Sequence, residues 1–233
     1  MLKVFGHATS QPTRALLWTL KLKGTPYELV KVDPVTGMDD SFKKTFPQAL
    51  IPCIEDGAVR IGESHAILTY LAAKHRWVDL YPESLADRAR VDEVLHWHHS
   101  NTRLLSGVLF RPFLFTILLK GKLPDPPKPG DLKRIDRAMT VLDSWLATAP
   151  FLANRQQPSI ADISSYCEFD QIEALAARGE RLYDFARFPN VTAWLQRMRA
   201  LPHHDAVRST LFKTADMVVG KAKELRGAPA AKL

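Results

Sequence analysis

The hydrophobic pattern of the chain changes character once, near residue 77. Before that point short β-rich runs alternate with stretches of helical spacing: Leu2 to Phe5, Pro12 to Lys23, Tyr27 to Val32, Ile51 to Glu55, Val59 to Ile61 and Glu63 to Lys74. This alternation predicts a small α/β unit. Pro12 stands where a first helical residue belongs and Gly24 where a C-terminal cap belongs, so the segment between them reads as one helix. Strand, helix and strand together predict a right-handed βαβ unit. Asp56-Gly57 lies between two β-branched runs and predicts a type I′ hairpin, in which both central residues take φ > 0. The second half of the unit is therefore antiparallel.

After Tyr81-Pro82 the spacing is helical throughout. Leu132, Ile135, Met139, Leu142 and Leu146 form one apolar stripe on a helix of about 17 residues. Ser159-Ile160-Ala161-Asp162 has the form of a capping box and opens a helix through Ile163, Tyr166, Phe169 and Ile172; Val191, Trp194, Leu195 and Met198 mark another. Trp18, Trp97 and Trp194 sit at helical core positions. Between Gly121 and Gly130 four prolines make a stiff connection between helices. The predicted organisation is residues 1–77, an α/β unit, then 86–220, an all-helical unit, then 221–233, a mobile basic tail.

Composition narrows the class. With 233 residues, 46% hydrophobic and 24% charged, the chain has too much apolar surface for disorder. The uncharged stretch from Pro112 to Leu119 is far short of the roughly 20 residues a membrane span needs. The net charge of +7 points first to a nucleic-acid partner, but six basic residues against two acidic ones fall in residues 208 to 233. A basic end on a nearly balanced body predicts a solvated terminal segment and argues against a nucleic-acid groove. Two cysteines, Cys53 and Cys167, cannot build a disulfide framework, which fits a reducing compartment. The N-terminal residues carry no apolar run of the kind a secretion signal needs, so a cytoplasmic protein is expected.

Candidate chemistry falls at three places. In Gly6-His7-Ala8-Thr9-Ser10-Gln11-Pro12-Thr13-Arg14 a hydroxyl stands just before a helix whose first turn offers free N–H groups and a positive dipole end. Ser10 either caps that helix or holds an anion there. It is no hydrolase nucleophile, because the G-x-S-x-G elbow is absent. Glu63-Ser64 begins a second helix, where a hydroxyl and the helix end suit a carboxylate and the glutamate suits an amino group; a plain cap is the alternative. Ile51-Pro52 opens a strand whose proline removes a ladder donor, leaving an edge to which an extended peptide can add. His96, His98 and His99 have no Cys or acidic partner in pattern and read as a solvated helix face, so no metal is expected. Cys53, following Pro52, reads as an inert core thiol.

Together these residues resemble the glutathione transferases, specifically the theta class in its plant-like form. The resemblance rests on Ser10-Gln11-Pro12-Thr13-Arg14-Ala15, Ile51-Pro52, Glu63-Ser64-His65-Ala66-Ile67, the stretch from Arg88 through Trp97-His98-His99-Ser100-Asn101-Thr102-Arg103, and Gln157-Pro158-Ser159-Ile160-Ala161-Asp162. It extends from Leu2 to about Asp216 and implies a thioredoxin-like N-terminal domain, an all-helical C-terminal domain and a homodimer. It implies that Ser10 hydrogen-bonds the glutathione sulfur and that Ile51 pairs through its backbone with the cysteinyl part, beside a cis Pro52. Glu63 and Ser64 would hold the γ-glutamyl end, and Gln11 would line the same site. Arg103, Phe110 and Phe113, with Phe115, would line an electrophile pocket, plain helix packing being the alternative for the phenylalanines. Glutathione enters as co-substrate; no metal or redox cofactor is implied. The other partners are small hydrophobic electrophiles or organic hydroperoxides, since plant theta-like enzymes are associated with hydroperoxide reduction.

Two departures from the family pattern bear on affinity. The loop Gly37-Met38-Asp39-Asp40 is short and acidic where theta enzymes carry His or Gln, and Leu50 replaces a lysine near the glycyl end of glutathione. Weak glutathione binding is expected, and a non-catalytic glutathione-transferase-like module that binds ligands or proteins is the alternative function. Ala231-Lys232-Leu233 is a conservative variant of the S-K-L peroxisomal address, so the peroxisome is a second expected location.

Overall fold

The computed structural model describes residues 1–32 and 38–227. Four strands, β1 (Leu2–Gly6), β2 (Tyr27–Lys31), β3 (Cys53–Asp56) and β4 (Val59–Ile61), form one sheet in the order β2-β1-β3-β4. β1 and β2 are parallel across the crossover helix α1 (Gln11–Leu22), while β3 and β4 are antiparallel additions. The short helix α2 (Asp40–Thr45) was not legible in the pattern; Asp39 caps it by accepting from Phe42 N at 2.7 Å. α3 (Ser64–Lys74) completes the α/β unit.

Two sequence expectations change in detail. Asp56 pairs with Val59, so the hairpin loop is Gly57-Ala58, and of these two only Gly57 has φ > 0, at 62°. A type I′ turn is thereby excluded, since the second central residue is an alanine that avoids the left-handed region. Strand β3 begins at Cys53, leaving Ile51 and Pro52 outside the ladder, and it pairs with β1 on one side and β4 on the other, so the strand that Ile51-Pro52 opens is interior and not an edge.

The second unit contains α4 (Leu85–His98), α5 (Arg111–Lys120), α6 (Pro129–Leu146), α7 (Ile160–Ala176), α8 (Pro189–Arg199) and α9 (His204–Gly227). A π-helical stretch, Leu105–Phe110, runs directly into α5. α7 is buried over most of its circumference, as expected of a helix at the centre of a bundle. α1 packs on α7, so one apolar core runs through both units. α9 continues without a break to Gly227 and buries Ala222, so residues 221–227 belong to that helix and not to a mobile tail. The remaining six residues, including Ala231-Lys232-Leu233, lie outside the described residues, as does Gly37 of the acidic loop. Among the described residues no helix is long and apolar enough to cross a membrane.

Candidate functional site

Strand register brings the three candidate features to one end of the sheet. β1 runs toward the turn at residues 7 to 10, and its residue Phe5 pairs with Cys53, which places Pro52 beside the C-terminal end of β1. Ile54 pairs with Ile61, so the end of β4 and the start of α3 arrive at the same edge. The Ile51-Pro52 peptide is cis, as expected. A Cβ at Gly62 would lie 2.6 Å from Gln48 Oε1, the tip of an exposed side chain that can turn away.

Ser10 is the N-cap residue of α1, with φ −66° and ψ 124°, yet its side chain makes no capping hydrogen bond. Gln11 and Pro12 open the helix, and the first-turn N–H groups carry the positive end of the helix dipole beside that hydroxyl. The turn itself is tightly held. Ser10 N donates to His7 O at 2.9 Å, Thr9 N donates to His7 Nδ1 at 3.2 Å, and the Arg14 guanidinium donates to Thr9 O at 2.7 Å. His7 thus anchors the turn.

Glu63 is exposed and precedes α3 with φ 64° and ψ 112°, a region that costs an ordinary residue about 1–3 kcal/mol. Its side chain makes no capping bond. Ser64, 9% exposed, occupies the first helical position. Leu50 projects from the same corner at 60% exposure, and Asp39, of the acidic loop, is engaged in capping α2.

Not every candidate residue joins this edge. Gln11 is 3% exposed, donates to Ser164 O at 2.8 Å and accepts from Arg103 at 2.7 Å; its polar ends are committed to the interface between the units, so it does not line the site. Arg103 reaches Gln11 and the fully buried Glu168, the latter at 3.1 Å, and its side chain keeps 35% exposure. Phe110 and Phe113 are 4% and 2% exposed and belong to the main core, so helix packing, not a pocket wall, is their role.

Several groups that matter here carried no sequence motif. Glu168 accepts from Arg103, Ser106 and Gln171 and lies 3.3 Å from His98 Nε2. Burial pushes its carboxyl up, but hydrogen bonding from His98 and the charge of Arg103 outweigh this and hold it below the usual range. His98 is 2% exposed, so it is a buried partner of Glu168 and not part of a solvated face. The available clue was Glu168 and Asp170 inside a helix built mostly of apolar and small residues, where charges must find buried partners. Both thiols are buried, and burial pushes Cys53 and Cys167 alike up to about 12, which leaves them inert at neutral pH. Among the described residues no group of His, Cys, Asp or Glu is arranged to hold a metal ion.

A small mixed sheet with a cis proline where its third strand begins, packed through one crossover helix on an all-helical unit, is the glutathione transferase fold. The family model described as the glutathione S-transferase N-terminal domain matches residues 4–79, and that for the C-terminal domain matches residues 121–202. Glutathione S-transferase T1 of Arabidopsis thaliana is 32% identical over 92% of this chain and 91% of its own length. Glutathione S-transferase T3 of the same plant is 34% identical over 92% of this chain, which spans only 38% of that longer protein. Human glutathione transferase theta-2, solved in complex with glutathione and an unknown ligand, superposes with a TM-score of 0.83 at 31% identity, over 95% of this chain and 91% of that one. The chain belongs to the theta class of the glutathione S-transferase family.

Proposed function

We propose that this protein, acting as a homodimer, binds glutathione at the end of the sheet where β1 meets α1, activates its thiol through Ser10, and delivers the thiolate to small hydrophobic electrophiles or organic hydroperoxides. The observation that carries the reading is the Ser10 hydroxyl, set at the N-terminus of α1 without a capping bond of its own. A free thiol has a pKa near 8.5, so only a few per cent is thiolate at pH 7. A hydrogen bond donated by Ser10 and the dipole of α1 both favour the charged form; lowering the pKa by two units needs about 2.7 kcal/mol, within reach of those two interactions. The backbone of Ile51 would take the cysteinyl part, since it lies outside the ladder, and Glu63 and Ser64 the γ-glutamyl end.

In conjugation the sulfur lone pair forms the S–C bond while the leaving group departs with its bonding electrons. With a hydroperoxide the sulfur attacks one oxygen, the O–O bond breaks, and the alkoxide takes a proton to give the alcohol. The sulfenic product then condenses with a second glutathione to the disulfide and water.

Ser10→Ala is expected to lower kcat/KM for glutathione-dependent turnover by roughly fivefold to fiftyfold at pH 6.5, measured with activated halides and organic hydroperoxides. Equal and negligible turnover by wild type and variant across both panels would defeat the enzymatic reading. A binding module without catalysis would then be the better description, with the exposed Leu50 in place of a cationic glycyl contact as its main support.

A further inference from the structure

The turn that carries Ser10 is held by the helical unit at two points. Arg14, 1% exposed, donates to Thr9 O at 2.7 Å and to Cys167 O of α7 at 2.9 Å, and its guanidinium lies 3.8 Å from Asp170 of the same helix. From the other side, Thr9 Oγ1 lies 3.2 Å from Thr214 Oγ1 of α9, a contact 205 residues apart in sequence. Thr214 Oγ1 also lies 3.0 Å from Thr210 O; with its single proton donated there, Thr9 is the donor to Thr214 and Thr214 the acceptor.

We propose that Thr214 is a positioning residue for the thiolate-activating serine: by accepting from Thr9 it fixes the turn from which the Ser10 hydroxyl points at the glutathione sulfur. This inference rests on the role proposed above for Ser10. Its physical basis is that among the described residues no capping bond fixes the Ser10 side chain. The direction of its hydroxyl is set by the backbone of residues 7 to 10, and that backbone is pinned on the far side by α9. Misplacement of a reacting contact by about 1 Å is enough to cost much of its effect. The helical unit therefore contributes to activation of the thiol.

The experiment reads the thiolate of bound glutathione by its ultraviolet absorbance across pH, together with glutathione affinity by calorimetry, in wild type, Thr214→Val, Thr214→Ser and Ser10→Ala. Valine keeps the shape of threonine and removes the acceptor. Expected for Thr214→Val is a rise of the bound thiol's pKa toward its free value and a loss of roughly threefold to tenfold in kcat/KM at pH 6.5, with affinity for the protonated thiol, measured near pH 5, unchanged. Thr214→Ser, which keeps the hydroxyl, is expected to restore both. If Ser10→Ala loses the thiolate while Thr214→Val keeps the wild-type pH profile, the inference fails and the role of Ser10 stands. If Thr214→Val only weakens binding or folding without moving the profile, the threonine pair is purely structural and the inference is overturned. If Ser10→Ala itself leaves the thiolate intact, the underlying assignment of Ser10 fails first.

Discussion

His65 is 8% exposed, bonds Ser164 Oγ through Nε2 at 2.7 Å, and packs against the rings of His98 and His99 at 4.8 and 4.6 Å between centroids. Burial, reinforced by His98, His99 and Arg103, holds its pKa down at about 2. The sign follows directly. An imidazole that titrates near 6.5 when unfolded stays neutral in the fold, so its contribution is complete above about pH 6.5 and is lost progressively as pH falls toward 2. Between pH 6.5 and 5 this amounts to about 2 kcal/mol. Urea unfolding at pH 7 and pH 5 should show a smaller acid loss in His65→Gln than in wild type; equal losses would assign the acid sensitivity elsewhere. The same neighbourhood shows how far single residues can be read. Ser10 and Ser64 each admitted an ordinary capping role; in the fold Glu63, not Ser64, takes the N-cap position of α3, and neither Ser10 nor Glu63 makes a side-chain capping bond. That leaves both free for a ligand, a fact that no local pattern contains.

Secondary-structure elements were legible where their own chemistry decides them. The box at Ser159 and Asp162 forms as expected: Ser159 Oγ accepts from Ala161 N at 3.2 Å and Asp162 accepts from Ser159 N at 2.8 Å. The fold then adds two donors that the box does not require, Leu152 N at 2.8 Å and Trp194 Nε1 at 2.9 Å. Asp162 is therefore a buried hub joining the loop before α7 to α8 and α7 itself. Asp162→Ala strands those donors in the core and is expected to cost about 3 kcal/mol or more, a large fall in the midpoint of thermal or urea unfolding. A loss under about 1 kcal/mol would mean that water replaces the carboxylate. By contrast, α2 escaped detection because its six residues are too few for periodicity, and the π-helical stretch at Leu105–Phe110 because its geometry follows from neighbours such as Glu168, which Ser106 reaches.

For the molecule as a whole, the positive charge is distributed differently from its linear order. The basic residues from 208 onward suggested a solvated tail, yet Arg208 pairs with the buried Asp170 at 2.6 Å and Arg226 with Glu180 at 2.8 Å. α9 uses its cations to dock on the helical unit, while the chain beyond it retains Lys232 within Ala231-Lys232-Leu233. A fluorescent fusion leaving that tripeptide at a free C-terminus is expected to collect in peroxisomes, and one with Lys232→Glu to remain diffuse; diffuse signal from both would dismiss the address.

Local stereochemistry and hydrophobic period, which need only neighbours a few residues apart, already determined the α/β then all-helical order, the β1-α1-β2 crossover, the antiparallel hairpin and the box at Ser159. Motif chemistry singled out Ser10, Ile51-Pro52 and Glu63-Ser64. Which of the surrounding polar residues face a ligand and which are spent on the fold was decided only by tertiary structure. Gln11 and His98 turn inward because Arg103, Ser164 and Glu168 wait there, and Thr214 meets the Ser10 turn because α9 folds back across α1. Such pairings join residues from 65 to more than 200 positions apart, and a buried polar group must find its partner wherever the packed chain puts one.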